Sequence, residues 1–149
     1  MNNWQIIFVF FWGSISFLSS IKGFIECNKK KNAFGLTPFL NIFGAYVWGD
    51  IVIFGIFWTI VSAITLYLNN WILFLLIISV FWAVRSFGET IYWFNQQFSV
   101  VKRNPPEKFW FYKYFHNDSV WFILQIIHQC ITVISIIFSI YFAHLWLTS

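Results

Sequence analysis

The sequence predicts an all-α integral membrane protein with four transmembrane helices in an up-down bundle. The chain has 149 residues, of which 60% are hydrophobic and 9% are charged, whereas about a quarter of the residues of a soluble domain are charged. The apolar residues form long runs, each close to the roughly 20 residues that a helix needs to cross a bilayer. We therefore expect one transmembrane domain, residues 1–149, with no separate soluble domain.

Four apolar runs define the predicted spans, and two charged segments define the predicted cytoplasmic loops. The spans cover approximately residues 4–21, 46–68, 71–93 and 119–147. The loops cover residues 22–45 and 94–118. The third apolar pattern allows a continuation to Phe98. The fourth run is longer than a perpendicular crossing requires, which favours a tilted helix or an end that projects from the bilayer.

The basic residues predict the orientation. All but Arg85 lie in the two loops: Lys22, Lys29, Lys30, Lys31, Lys102, Arg103, Lys108 and Lys113. The positive-inside rule therefore predicts that both termini and the Asn69–Asn70 turn lie outside. The first run has no basic segment before it and no small-residue cleavage site after it, so we expect a retained span and not a signal peptide. The expected location is the plasma membrane of a bacterium.

Three ionisable residues interrupt the apolar spans: Asp50, Arg85 and Glu89. Charges inside a span are costly and commonly have a function. Counted from the Asn69–Asn70 turn, Asp50 and Glu89 lie about 28–30 Å away and Arg85 about 22 Å away at the helical rise. All three are therefore expected in one layer of the inner leaflet. Arg85 and Glu89 share a helix face and can pair, and Asp50 is a second candidate partner for Arg85.

A polar stripe on the fourth span completes the candidate site, because such a stripe should face the bundle. The sequence predicts one polar cluster on the cytoplasmic side, formed by Asp50, Arg85, Glu89 and His128, with Tyr92, Gln125 and Gln129 around them. Three interpretations stay open. The cluster is a structural lock, an ion pair that fixes the antiparallel hairpin of the second and third spans, which we favour. Alternatively, it is a binding or conduction site, or a set of charges that merely lies at the headgroup boundary.

Small residues mark one face of each of the first two spans, and such faces permit close helix packing. They are Gly13, Ser16, Ser19, Ser20 and Gly23 in the first span, and Gly55, Thr59 and Ser62 in the second. In an accessory protein, these faces would meet a partner or another copy.

Two segments beside the spans carry further signals. Residues 36–44 begin with Thr37-Pro38, a good helix start, and we expect them to lie in the interface or to extend the second span inward. Residues 105–118 mix aromatic residues with lysines, which favour the headgroup zone and anionic lipid. The candidate lipid-interface residues are Lys108, Trp110, Tyr112, Lys113 and Tyr114.

The leading functional hypothesis is a non-catalytic interaction or accessory protein. Its expected partners are the lipid bilayer and either further copies of itself or another membrane protein, and no nucleic acid. One alternative is an oligomeric channel or transporter for a small ion or anionic solute. Another is a lipid-modifying enzyme, since the charged residues and His128 are of types that bind phosphate and transfer protons.

No cofactor and no metal are expected. His128 and His144 lie about 24 Å apart along one helix at the helical rise, which is too far to ligate one haem. Cys27 and Cys130 fall in different predicted environments and match no metal-ligand spacing, so both are expected to be free thiols.

Overall fold

A computed structural model describes residues 1–101 and 103–148. Across these residues the chain forms four long α-helices and short 3-10 helices, with no β-strand. The long helices are α1 (Asn3–Lys30), α2 (Trp48–Tyr67), α3 (Trp71–Phe98) and α4 (Ser119–Thr148). Each is long and apolar enough to cross a membrane. The predicted fold class, an all-α protein with four helices of transmembrane length, is confirmed.

Helix α1 continues past the predicted end of the first span at residue 21 and stops at Lys30. Its last turns carry an ion pair between Glu26 Oε2 and Lys30 Nζ, 3.0 Å apart and one turn apart along the helix. Lys31, with a φ of 47°, has the left-handed backbone that commonly ends a helix. Charged residues mark the end of the hydrocarbon but do not end a helix, which can project beyond it. Similarly, α3 runs past residue 93 and ends at Phe98, the continuation that the apolar pattern allows.

The chain forms two compact units. The first comprises Met1–Ile77 together with the described end of α4 from Leu145. The second comprises Ile78–His144. The single four-helix domain stays a prediction.

In the first unit, the predicted small-residue faces of α1 and α2 pack against each other. A Cβ atom added to Gly55 would lie 2.6 Å from the backbone oxygen of Ser16 and 2.7 Å from Ser20 Cβ. The Ser20 hydroxyl also crosses the interface and donates to Val52 O at 2.9 Å. These faces are therefore used within the chain and are not left open for a partner.

Replacing Gly55 by Ala is expected to destabilise the protein by about 1–3 kcal/mol, because the new methyl group would overlap backbone that cannot move cheaply. Gly88 is the matched control, since a Cβ atom added there meets nothing within 4 Å. Gly88→Ala should leave stability unchanged or raise it by up to about 1 kcal/mol through helix propensity. Thermal unfolding in detergent measures both changes, and equal effects of the two variants would contradict the close α1–α2 contact.

The segment between α1 and α2 folds back against both helices. It contains the 3-10 helix Pro38–Phe43, and the Phe43 ring centroid lies 4.6 Å from that of Trp12. Trp58 Nε1 donates to Phe43 O at 3.1 Å. Because Trp58 lies ten residues into α2, about 15 Å along its axis, the segment turns back towards the interior of the unit. It does not extend α2, and the Thr37 hydroxyl donates to Ala45 O at 3.1 Å instead of capping a helix.

The amino terminus lies beside the turn between α2 and α3. The Met1 amino group donates to the backbone oxygen of Asn69 at 3.3 Å and to its Oδ1 at 3.0 Å. The amino terminus and this turn therefore share one end of the first unit.

Candidate functional site

The central feature of the candidate site is an ion pair on α3. Arg85 Nη1 and Glu89 Oε1 are 2.6 Å apart, and their side chains retain 16% and 12% exposure. The two residues lie one turn apart on one face, as the spacing predicts. A charge-assisted hydrogen bond of this length is strong, and its partial burial reduces screening by salt.

Asp50 belongs to the first unit and caps α2. Its Oδ2 accepts hydrogen bonds from the backbone N–H groups of Tyr46 at 3.0 Å and Val47 at 3.3 Å. A carboxylate in the first turn also interacts favourably with the helix dipole. This role was not predicted from the sequence, although an acidic residue in the first turn of a helix is its usual signal. Contact of Asp50 with Arg85, which lies in the second unit, stays a prediction.

His128 is buried on α4, with 6% exposure. Its Nδ1 lies 2.8 Å from the backbone oxygen of Leu124, one turn earlier. Because a carbonyl oxygen only accepts hydrogen bonds, this geometry assigns a proton to Nδ1. In the neutral ring, Nε2 is then an acceptor.

A hydrogen bond from Gln97 Nε2 to Gln125 Oε1, 2.8 Å long, links α3 to α4 and gives their register. Counted from it at 1.5 Å per residue, Arg85 lies about 18 Å away along α3, and His128 lies about 4.5 Å away along α4. For antiparallel helices this leaves about 13 Å between their axial levels. The placement of His128 beside the ion pair stays a prediction.

The remaining members of the predicted cluster have different surroundings. The Tyr92 hydroxyl accepts a hydrogen bond from Asn104 Nδ2 at 2.6 Å. The backbone oxygen of Asn104 accepts another from Trp121 Nε1 at 2.9 Å. Tyr92 therefore helps to attach the segment after α3 to the start of α4. Gln125 pairs with Gln97, whereas Gln129 is exposed.

The roles of Gln97, Asn104 and Trp121 were not predicted from the sequence. Gln97 lies on the continuation of α3 to Phe98 that the apolar pattern allows, but its position along the chain does not indicate a partner on α4. Asn104 directly precedes Pro105-Pro106 in the sequence, where a turn is expected. No periodic pattern in the sequence pairs the Asn104 side chain with Tyr92, because the two residues are twelve positions apart.

Buried residues that carry a hydrogen-bonding side-chain atom recur every seven residues on both helices of the second unit. They are Ser79, Ser86 and Trp93 on α3, and Trp121, His128 and Ser135 on α4. Within the described residues, Ser86 Oγ and Trp93 Nε1 are buried without a hydrogen-bond partner. Each such orphan costs about 1–3 kcal/mol and calls for an explanation.

The candidate lipid-interface residues lie in and beside two short 3-10 helices, Pro106–Lys108 and Trp110–Lys113. Trp110 is 76% exposed and Tyr114 64% exposed. Lys113 Nζ lies 4.7 Å from the centre of the Tyr114 ring. In contrast, Phe109 turns inward, and its ring centroid lies 5.5 Å from that of Trp93. One anchored ring among exposed aromatic and basic residues suits a segment at the headgroup boundary.

The four helices of transmembrane length define the class of this molecule as a multi-pass α-helical membrane protein. Comparison with protein-family models, with curated proteins and with solved structures found no match. In the part of the chain that the structure describes, no three His, Cys, Asp or Glu side chains are grouped to hold a metal ion. The function is therefore inferred from the contacts and exposures of individual side chains.

Proposed function

We propose that the protein is a non-catalytic component of a bacterial plasma membrane that assembles with a second copy of itself through α4. The observation that supports this proposal is the exposed amide of Gln129 on a helix of transmembrane length. The Arg85–Glu89 pair then serves as a structural lock within α3.

Gln129 lies ten residues after the start of α4 at Ser119. Ten residues correspond to about 15 Å, half of the roughly 30 Å of hydrocarbon that a span crosses. A primary amide that faces lipid at this depth leaves its donors and acceptors unsatisfied, which is costly. Polar side chains in such positions commonly join neighbouring helices, by roughly 0.6–2 kcal/mol each.

Helix α4 has the free surface that such an interface needs. Only 11% of its most apolar 18-residue stretch is buried, compared with 33% for α2. Val133 and Ile136 lie one and two turns beyond Gln129 on the same face, and they are 57% and 47% exposed. The polar amide therefore lies within an open apolar surface on which a second helix can pack.

The chemistry of glutamine favours a second copy as the partner. A side-chain amide carries both a donor and an acceptor, so two copies of Gln129 can pair reciprocally across a two-fold axis. The commonest closed assembly of identical chains has this symmetry, with the same surface used on both copies.

The proposed orientation has both termini outside the cell. The contact of Met1 with Asn69 supports a shared side for the amino terminus and the α2–α3 turn. The opposite end of α1 carries Lys29 and Lys30 in its last turn, and basic residues favour the cytoplasmic side.

Cross-linking in membranes tests the proposed interface. In a Cys27→Ser, Cys130→Ser background, Val133→Cys is expected to give cross-linked dimers with a short thiol-reactive reagent. Phe138→Cys is the matched control because residue 138 lies about 180° around the helix from Gln129 and is also exposed, at 49%. Equal cross-linking at both positions, or none at residue 133, would contradict an interface on the Gln129 face.

A channel or transporter for a small ion or anionic solute is the second candidate. It is favoured by the buried polar positions of the second unit and by the two orphaned donors at Ser86 and Trp93. Ion flux into liposomes that is lost in Glu89→Gln would support this candidate over a purely structural assembly.

A further inference from the structure

A cavity of about 240 Å³ lies in the second unit where α3 ends. Its lining residues are Tyr92, Asn95, Gln96, Ser99, Val101 and Arg103. All except Val101 have hydrogen-bonding side chains, and the described lining contains a guanidinium but no carboxylate. The cavity is therefore suited to an anion that accepts several hydrogen bonds.

The side chain of Gln96 is buried in this wall but weakly bonded. Gln96 is 4% exposed. Its Nε2 donates to Val101 O at 3.4 Å, and its Oε1 accepts from the Tyr92 hydroxyl at 3.4 Å. Both distances are beyond the usual range for a strong hydrogen bond. The amide has two N–H groups and two lone pairs, so it retains capacity to bind a ligand.

The Tyr92 hydroxyl is held in a fixed position, but it donates only a long, weak hydrogen bond. It accepts a short hydrogen bond from Asn104 Nδ2 at 2.6 Å, whereas its donation to Gln96 spans 3.4 Å. Trp121 Nε1 in turn donates to the backbone oxygen of Asn104 at 2.9 Å. The wall is thus positioned before any ligand enters, which lowers the entropic cost of binding.

From these contacts we propose that the cavity binds the phosphate group of an anionic phospholipid. Arginine binds phosphate oxygens through parallel N–H donors, and Tyr92 and Gln96 supply further donors around Arg103, whereas the Ser99 hydroxyl already donates to Val101 O at 2.9 Å. A phosphodiester provides one negative charge and several acceptor oxygens.

The surroundings of the cavity favour a lipid over free phosphate. Phe94, Phe98 and Val100 on and beside the last turns of α3 are 49%, 73% and 97% exposed. They give acyl chains an apolar surface beside the polar cavity. The aromatic and basic residues of the following segment suit the same headgroup zone.

Titration of the purified full-length protein with short-chain phosphatidylglycerol tests this site. Binding should raise the unfolding temperature, because a ligand that binds only the folded state stabilises it. Arg103→Gln should weaken the apparent affinity about tenfold, the effect of losing one charge-assisted contact of about 1.4 kcal/mol. Arg103 is exposed, and the unfolding temperature of the variant without lipid gives the baseline against which its binding is measured. Arg103→Lys keeps the positive charge but lacks the parallel N–H donors of the guanidinium. Its affinity should fall between those of the wild type and Arg103→Gln.

Lys29→Gln is the control, since it removes one exposed positive charge from α1 and should not change the affinity. Equal loss in Lys29→Gln and Arg103→Gln would overturn the proposal, because it would show general charge attraction. So would equal stabilisation by phosphatidylcholine. If inorganic phosphate stabilised the protein and competed with phosphatidylglycerol, the proposal that the phosphate group belongs to a lipid would be wrong.

Discussion

Replacing Arg85 by Leu is expected to lower the free energy of unfolding by about 3–5 kcal/mol, the usual effect of breaking a buried ion pair from one side. The substitution leaves the Glu89 carboxylate, whose side chain is 12% exposed, without the guanidinium that it contacts at 2.6 Å. Unfolding in detergent by heat or denaturant measures the loss.

Two further variants show whether the loss comes from the uncompensated charge. Glu26→Gln breaks a second one-turn ion pair, with Lys30, whose side chain is 57% exposed, so it should change the stability little. The double change Arg85→Leu, Glu89→Leu removes both charges and should recover most of the stability. A loss in Arg85→Leu no larger than in Glu26→Gln would contradict the structural lock.

The same experiment addresses the predicted contact between Arg85 and Asp50. If that contact exists, neutralising Asp50 in the Arg85→Leu protein should recover part of the lost stability. An additive further loss would instead show that Asp50 acts only as the cap of α2.

Replacing Trp58 by Ala is expected to destabilise the protein by about 3–5 kcal/mol, as for other large aromatic residues removed from a core. Trp58 is fully buried, its ring centroid lies 5.7 Å from that of Trp12, and its indole N–H binds Phe43 O. Loss of the indole should also release the folded-back segment. Faster amide hydrogen exchange at residues 39–45 would report this release.

Trp110 provides the matched control because it is 76% exposed. Trp110→Ala should change stability by no more than about 0.5 kcal/mol. Trp58→Phe keeps a ring but leaves the Phe43 carbonyl without its indole donor, which should cost about 1–3 kcal/mol. If Trp58→Ala left exchange in this segment unchanged, the Trp58–Phe43 hydrogen bond would not be what holds it.

Much of the helical structure could be predicted because it has a periodic signal. The apolar runs predicted four helices, and the small residues predicted faces of close approach, including the face that contains Gly55. The surface against which each small-residue stripe packs could not be derived from that stripe alone. The structure shows that the two stripes meet within the chain.

Features that depend on contacts between distant backbone and side-chain atoms could not be predicted. The hydrogen bond from Trp58 to Phe43 O joins residues fifteen positions apart, and no spacing rule selects a backbone carbonyl as a partner. Likewise, α1 continues through Lys22 because helix formation depends on local backbone bonding, whereas span length depends on the apolar run. The hydrogen bond between Gln97 and Gln125 also could not be predicted, because no spacing rule pairs side chains on different helices.

The number of chains in the detergent-solubilised particle, measured by light scattering with the detergent contribution subtracted, tests the proposed self-assembly most directly. We predict two chains per particle for the wild-type protein and a shift towards single chains for Gln129→Leu. Single chains at every protein concentration for the wild type, or an unchanged dimer in Gln129→Leu, would contradict assembly through the Gln129 face of α4.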